Sequence, residues 1–178
     1  MNETYLPLAR REFQRLQPLA ERAAAQLSDE QFFAAPAPTD NSVGGIMKHV
    51  GGNLLSRWTD FLTSDGEKPN RDRDTEFVIT PADTRAALMQ SWTEGWAALF
   101  AALAPLNDDD LTRMVMIRRE PLTVLQAINR QLTHYAYHVG QIVYVSKHHR
   151  GPDWHSLSIP RGQSAEFNRA PTPYVPGR

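Results

Sequence analysis

Residues 121–149 read PLTVLQAINRQLTHYAYHVGQIVYVSKHH, and the spacing within this stretch decides the fold class. Leu125, Ile128, Leu132, Tyr135, Val139 and Ile142 recur every three or four positions, which puts them on one face of a long helix. Pro121 suits the first turn, where its missing N–H would have no partner anyway, and Gly151-Pro152 supplies the stop. His134 and His138 ride on the same helix. Four residues apart, they sit about 40° from each other around the axis, so both imidazoles can point at one ion.

Upstream, the same periodicity predicts three further long helices. Thr80-Pro81-Ala82-Asp83 combines a hydroxyl cap, proline at the first position and an acid in the first turn, and Leu88, Trp92, Trp96, Leu99 and Leu103 follow as an apolar face. Ser42 caps a second helix to about Leu62, with Val43, Ile46, Val50, Leu54, Trp58 and Phe61 as its buried stripe. A first helix runs from about Glu3 to Leu27 with Pro18 inside it, where a bend is expected, and Ser28 to Gln31 reads as a capping box. Leu111 to Arg119 reads as extended or loop.

Residues 63–80 are charged and rich in turn formers, a connection long enough to cross the outside of a domain. Such a crossover is what a bundle with parallel second and third helices needs. The expected architecture is therefore all-α: a four-helix bundle over residues 1–150. Residues 151–178, with five prolines, form a C-terminal segment packed on or covering the bundle rather than a second domain.

Composition narrows the function classes. Hydrophobic residues make up 41% and charged residues 22%, the balance of a globular protein. A formal net charge of -1, with no basic run longer than Arg10-Arg11 or Arg118-Arg119, argues against a nucleic-acid partner. Neither a signal-peptide pattern at the N-terminus nor an apolar run of membrane-spanning length is present, so a cytoplasmic address without membrane attachment is expected. The chain has no cysteine, so any metal site uses nitrogen and oxygen ligands.

A three-ligand site needs a third residue besides His134 and His138. His49 is the candidate, being the one histidine outside the last helix and its sequel. All three lie to one side of their apolar stripes, which places them at a helix seam. Gly45, Gly52 and Ser56 share the side of His49; they leave room for a pocket or let another helix approach closely, and spacing does not decide between the two. His148 and His149 fit the helix C-terminus, where they can bond the last carbonyls, and His155 lies in the tail.

Four strings, IMKHVGGNLLSRW (46–58), NRDRDTEF (70–77), QLTHYAYHVGQIVYVSKHH (131–149) and SIPRGQSAEFN (158–168), together with the order of elements, resemble the DinB-like (YfiT-like) superfamily. Within it they are similar to an uncharacterised branch, domain of unknown function 1572. The resemblance implies a bundle with parallel second and third helices, His49, His134 and His138 on one divalent metal, and a homodimer. It also implies kinship with thiol-dependent transferases and isomerases, hence a low-molecular-weight thiol as cosubstrate.

Three neutral imidazoles leave both charges of a divalent ion uncompensated, so its open position favours an anion such as thiolate, hydroxide or carboxylate. The expected function is a metal-dependent enzyme on a small molecule, with zinc or nickel bound: S-transferase-like with a thiol cosubstrate before a hydrolase. The alternatives are a non-catalytic metal-binding stress or sensor protein, marked by a closed site, and a bundle without metal. Along the ligand helices the acids are Asp60 and Glu120, both distant in sequence from the histidines, so no general base stands out. Arg71, Arg73, Arg161 and Gln163 are candidates to bind an anionic substrate if crossover and tail fold over the site; the competing reading pairs them with neighbouring acids.

Overall fold

A computed structural model describes residues 4–172, in which four long helices carry the chain. They are α1 (Tyr5–Ala24), α3 (Val43–Trp58), α4 (Arg85–Leu103) and α5 (Val124–Arg150), with a short α2 (Asp29–Phe33) after α1. The caps explain where they begin. The Ser42 hydroxyl accepts the Gly45 N–H at 3.1 Å to start α3, and Ser28 and Gln31 close the expected capping box on α2. Gly151, with φ 54°, ends α5 as expected. α1 continues through Pro18, and the expected start at Glu3 lies outside the described residues.

Two starts differ from the sequence reading. Thr80 does not cap a helix: its N–H and hydroxyl both donate to the Asp83 carboxylate, at 2.7 and 2.8 Å, which also accepts from Lys48 Nζ at 2.9 Å. That closes a separate turn, and Thr84 caps α4 by accepting from the Ala87 N–H.

Pro121 likewise does not open α5. It lies in β2 (Glu120–Thr123), paired antiparallel with β1 (Met114–Ile117), and Thr123 with Gln126 forms the capping box. The hairpin turns at Arg118 and Arg119, both left-handed with φ 56° and 64°. Side chains other than glycine are strained there, and Asp65 offsets the cost by accepting both N–H groups at 2.8 and 2.7 Å. α3 ends at Trp58 rather than near Leu62, with a left-handed Asp60 just beyond.

The expected apolar faces of α3 and α4 are buried throughout, with Trp92 and Trp96 in the core. α3 packs most extensively on α4, and α1 on α5. Phe13 of α1 stands 6.1 Å from Trp58, 6.3 Å from Trp96 and 6.0 Å from Tyr135, ring to ring, joining all four long helices. α5 is rolled relative to its apolar repeat. Leu125 and Leu132 are half-buried while Gln131 and His138 are buried, and the His138 ring faces His49 of α3 at 4.8 Å.

The tail docks at the end of α1, where the His155 N–H and carbonyl both bond the Gln26 side chain; a short α6 (Ser164–Phe167) follows. Among the described residues no helix is long and apolar enough to cross a membrane.

Close approach of α3 and α4 depends on two glycines. A Cβ on Gly95 would stand 2.7 Å from the Leu54 Cβ and 3.1 Å from the Gly51 carbonyl oxygen. Gly95→Ala is expected to cost about 1–2 kcal/mol in urea unfolding, overpacking outweighing the helix-propensity gain. Gly140→Ala, where a Cβ meets nothing within 4 Å, is expected instead to stabilise by up to about 1 kcal/mol.

Candidate metal centre

His49 is in the second turn of α3, and His134 and His138 are on successive turns of the facing α5. The His134 Nε2 lies 3.4 Å from the His49 Nε2 and 3.1 Å from the His138 Nε2, and the potential ligand atoms of all three residues lie within 4.8 Å of one another. Three nitrogens on a tetrahedral ion at about 2.0–2.1 Å would stand roughly 3.3 Å apart, so the cluster can hold a metal ion. His49 and His138 are buried and His134 is half-buried, deeper than the expected seam position.

The opposite ring nitrogens of His49 and His138 are engaged outward, while that of His134 is buried without a partner. The His49 Nδ1 is 2.7 Å from the Glu76 Oε2, and the His138 Nδ1 is 2.7 Å from the Gln141 Oε1. A carboxylate and an amide oxygen only accept, so both Nδ1 atoms carry the proton and both Nε2 atoms present lone pairs. Those lone pairs converge on the His134 Nε2, which has at most one proton to give. A cation resolves the conflict, and outward carboxylate and amide partners are the usual supports of metal-bound imidazoles.

Glu76 was not among the residues singled out from the sequence. It lies in the 59–84 connection, buried, with Arg71 donating to it twice, Nε to Oε1 at 2.7 Å and Nη2 to Oε2 at 2.8 Å. Burial works to raise the Glu76 pKa, but hydrogen bonds from His49 and Arg71 and the charge of Arg71 bring it below its ordinary value. Arg71 also reaches Glu67, which pairs with Arg57 at 2.7 Å and Arg118 at 3.2 Å. Phe77 stacks on the His49 ring at 4.4 Å.

This connection also settles the role of Gly52: a Cβ there would stand 2.7 Å from the Glu76 Oε1. The glycine makes room for the carboxylate, which is neither of the two expected alternatives. Ser56 is likewise covered, donating to the Gly66 carbonyl at 2.7 Å.

Of the candidate anion-binding residues, Arg71 is tied up in ion pairs. Arg73 lines a cavity of ≈ 150 Å³ together with His49 and His134. Arg161 and Gln163 are exposed on the tail, and Gln163 borders a separate surface hollow with Pro160 and Phe167, so the structure does not bring these two to the histidines. His149 bonds the Ala34 carbonyl at 3.0 Å instead of its own helix end. A larger cavity of ≈ 520 Å³ lies on the other side of Glu76, but no histidine lines it.

Comparison with known proteins gives the following. A family model described as "Protein of unknown function (DUF1572)" matches residues 1–163. The fold is similar to a conserved protein of Enterococcus faecalis known from its crystal structure, with a TM-score of 0.62 and 17% identity, covering 82% of this chain and 97% of that one. No curated protein matches the chain in sequence.

The buried histidines set an acid limit on the metal-free protein. Burial first, then the charges of the neighbouring histidines, lowers the His134 pKa to about 3; burial lowers that of His138 to about 4 against its bond to Gln141. Unfolded, both take up protons near 6.5. The unfolded chain thus binds more protons below that value, so stability is full above about pH 6.5 and falls as pH drops toward 4. Urea unfolding of chelated protein from about pH 7.5 to 4.5 is expected to show this decline, and a shallower one in His134→Phe. A flat profile in the wild-type chain would contradict the assignment.

Proposed function

The chain belongs to the DUF1572 family, whose description assigns no activity, and on that premise we propose that it is a metal-dependent enzyme in which His49, His134 and His138 hold one divalent ion, zinc or nickel. The observation that carries this reading is the opposition of two Nε2 lone pairs and a third Nε2, with the outer nitrogens of His49 and His138 already engaged. A divalent ion there would supply Lewis acidity and attract an anion, thiolate before hydroxide in this proposal.

The chain's own residues prepare the ligands. Glu76 fixes the His49 tautomer and makes that ring a stronger donor, and Arg71 keeps Glu76 ionised; Gln141 does the orienting for His138. Since the chain lacks cysteine, a thiol-dependent transfer to a small molecule draws its sulfur from a low-molecular-weight cosubstrate. The DinB-like kinship, parallel α3 and α4, a homodimer and a cytoplasmic address belong to the same proposal. The length of the 59–84 connection and ligands divided between α3 and α5 support the architecture.

A second reading, a non-catalytic metal-binding stress or sensor protein, draws on the depth of the site, with His49 only 2% exposed. The cavity that His49 and His134 line favours the enzyme, as does the docking of His155 against Gln26, which commits that tail residue elsewhere.

Reconstituted protein is expected to retain about one equivalent of zinc or nickel, and His134→Ala to lose it. Glu76→Gln should weaken metal affinity about 10–100-fold while leaving the ligands in place. Equal, negligible metal in wild type and His134→Ala would remove the site. Loaded protein is then assayed against paired thiols and electrophiles; metal-dependent turnover supports the transferase, and metal retention without turnover across the panel favours the sensor.

A further inference from the structure

The small cavity beside the histidines has a distinctive lining. Arg57, Arg71, Arg73, Arg118 and Arg130 all border it, and among the described residues no carboxylate does. The charges are unequally spent. Arg57 and Arg71 are neutralised by Glu67 and Glu76, whereas among the described residues the Arg130 side chain meets only Glu120 at 3.1 Å, in a pair 44% and 61% exposed that binds weakly. The Arg73 side chain makes no hydrogen bond or ion pair among the described residues, although its backbone carbonyl accepts the Glu76 N–H at 3.2 Å.

A second observation is independent of charge. Gln131 lines the same cavity, is only 3% exposed, and has its buried side-chain oxygen without a partner. A buried amide left so costs free energy that a bound polar group would recover, and rotation of the amide turns its NH₂ toward an acceptor. The Arg57 Nε is buried and unpartnered as well. At ≈ 150 Å³ the cavity is smaller than ordinary ligand pockets of about 300–1,000 Å³, so it accepts one acid group and leaves the rest of a molecule outside.

We propose that this cavity is an oxyanion subsite, in which Arg73, Arg130 and Gln131 seat the carboxylate or phosphate of a small anionic substrate beside the histidine cluster. The word substrate rests on the enzyme reading; the subsite does not, since none of its three residues is a metal ligand. Arg73 and Arg130 stand at the exposed rim and attract the acid by charge-assisted hydrogen bonds, and Gln131 reads its oxygens from within.

The test uses chelated, metal-free protein titrated by calorimetry with inorganic phosphate and, separately, with malonate. Saturable one-site binding of either anion is expected, weakening with added salt and at least about tenfold in Arg73→Gln and in Arg130→Gln. Gln131→Leu is expected to weaken it too, while unfolding midpoints and the metal content of reconstituted variants stay at wild-type values. The anion that binds more tightly identifies the acid group. No saturable binding of either anion to metal-free protein overturns the subsite, as does binding that appears only after metal loading and is unchanged by Arg73→Gln. Failure of the enzyme reading shows elsewhere, as absent metal or absent turnover, with this titration unaffected.

Discussion

The contact between His49 and Glu76 joins the two halves of the structure that matter most, the helices and the connection that wraps them. A carboxylate buried beside an imidazole is costly unless its charge is answered. Here Arg71 answers it with two donors, Glu67 holds Arg71, and Arg57 of α3 returns the chain of charges to the helix. Each member is tolerable only with its neighbours in place. The network therefore fixes the path of residues 67–77 over α3, and with it the ring orientation of His49 and the wall of the cationic cavity.

The hairpin is part of the same assembly. Asp65 holds the Arg118-Arg119 turn through two N–H groups, and Glu67 takes the Arg118 side chain. A stretch of chain that begins as a connector from α3 to α4 thus also positions the approach to α5. α5 turns its Gln131 and His138 side inward, Gln131 onto the small cavity and His138 onto the His49 ring, and not the side of Leu125 and Leu132.

What could be read from sequence follows from the range of the forces involved. Helices with a three-four repeat, such as α4 from Leu88 to Leu103, are written locally, and so are caps whose partner is three residues away, such as Ser28 with Gln31. The reading failed where a group had a distant claimant: Asp83 belongs to Lys48 as much as to its own turn, and Pro121 belongs to a strand. His134 and His138 were legible by spacing, and His49 through exclusion and resemblance. Glu76 carried no such mark. It sits in a run of charges without period, and its burial, next to Phe77, is decided by a glycine on another element, Gly52.

The separation of the three histidines along the chain has a consequence for synthesis. His49 is made before His134, which lies 85 positions further along the chain. A nascent chain with only α1 to α4 outside the tunnel holds one imidazole, insufficient to retain an ion against solvent, so the proposed centre could assemble only after α5 has been made. Closing that long loop is entropically expensive, and an ion caught between α3 and α5 would lower the free energy only of chains in which α5 has docked. Metal capture in the proposed centre would then act as a check on the docking of α5 against α3.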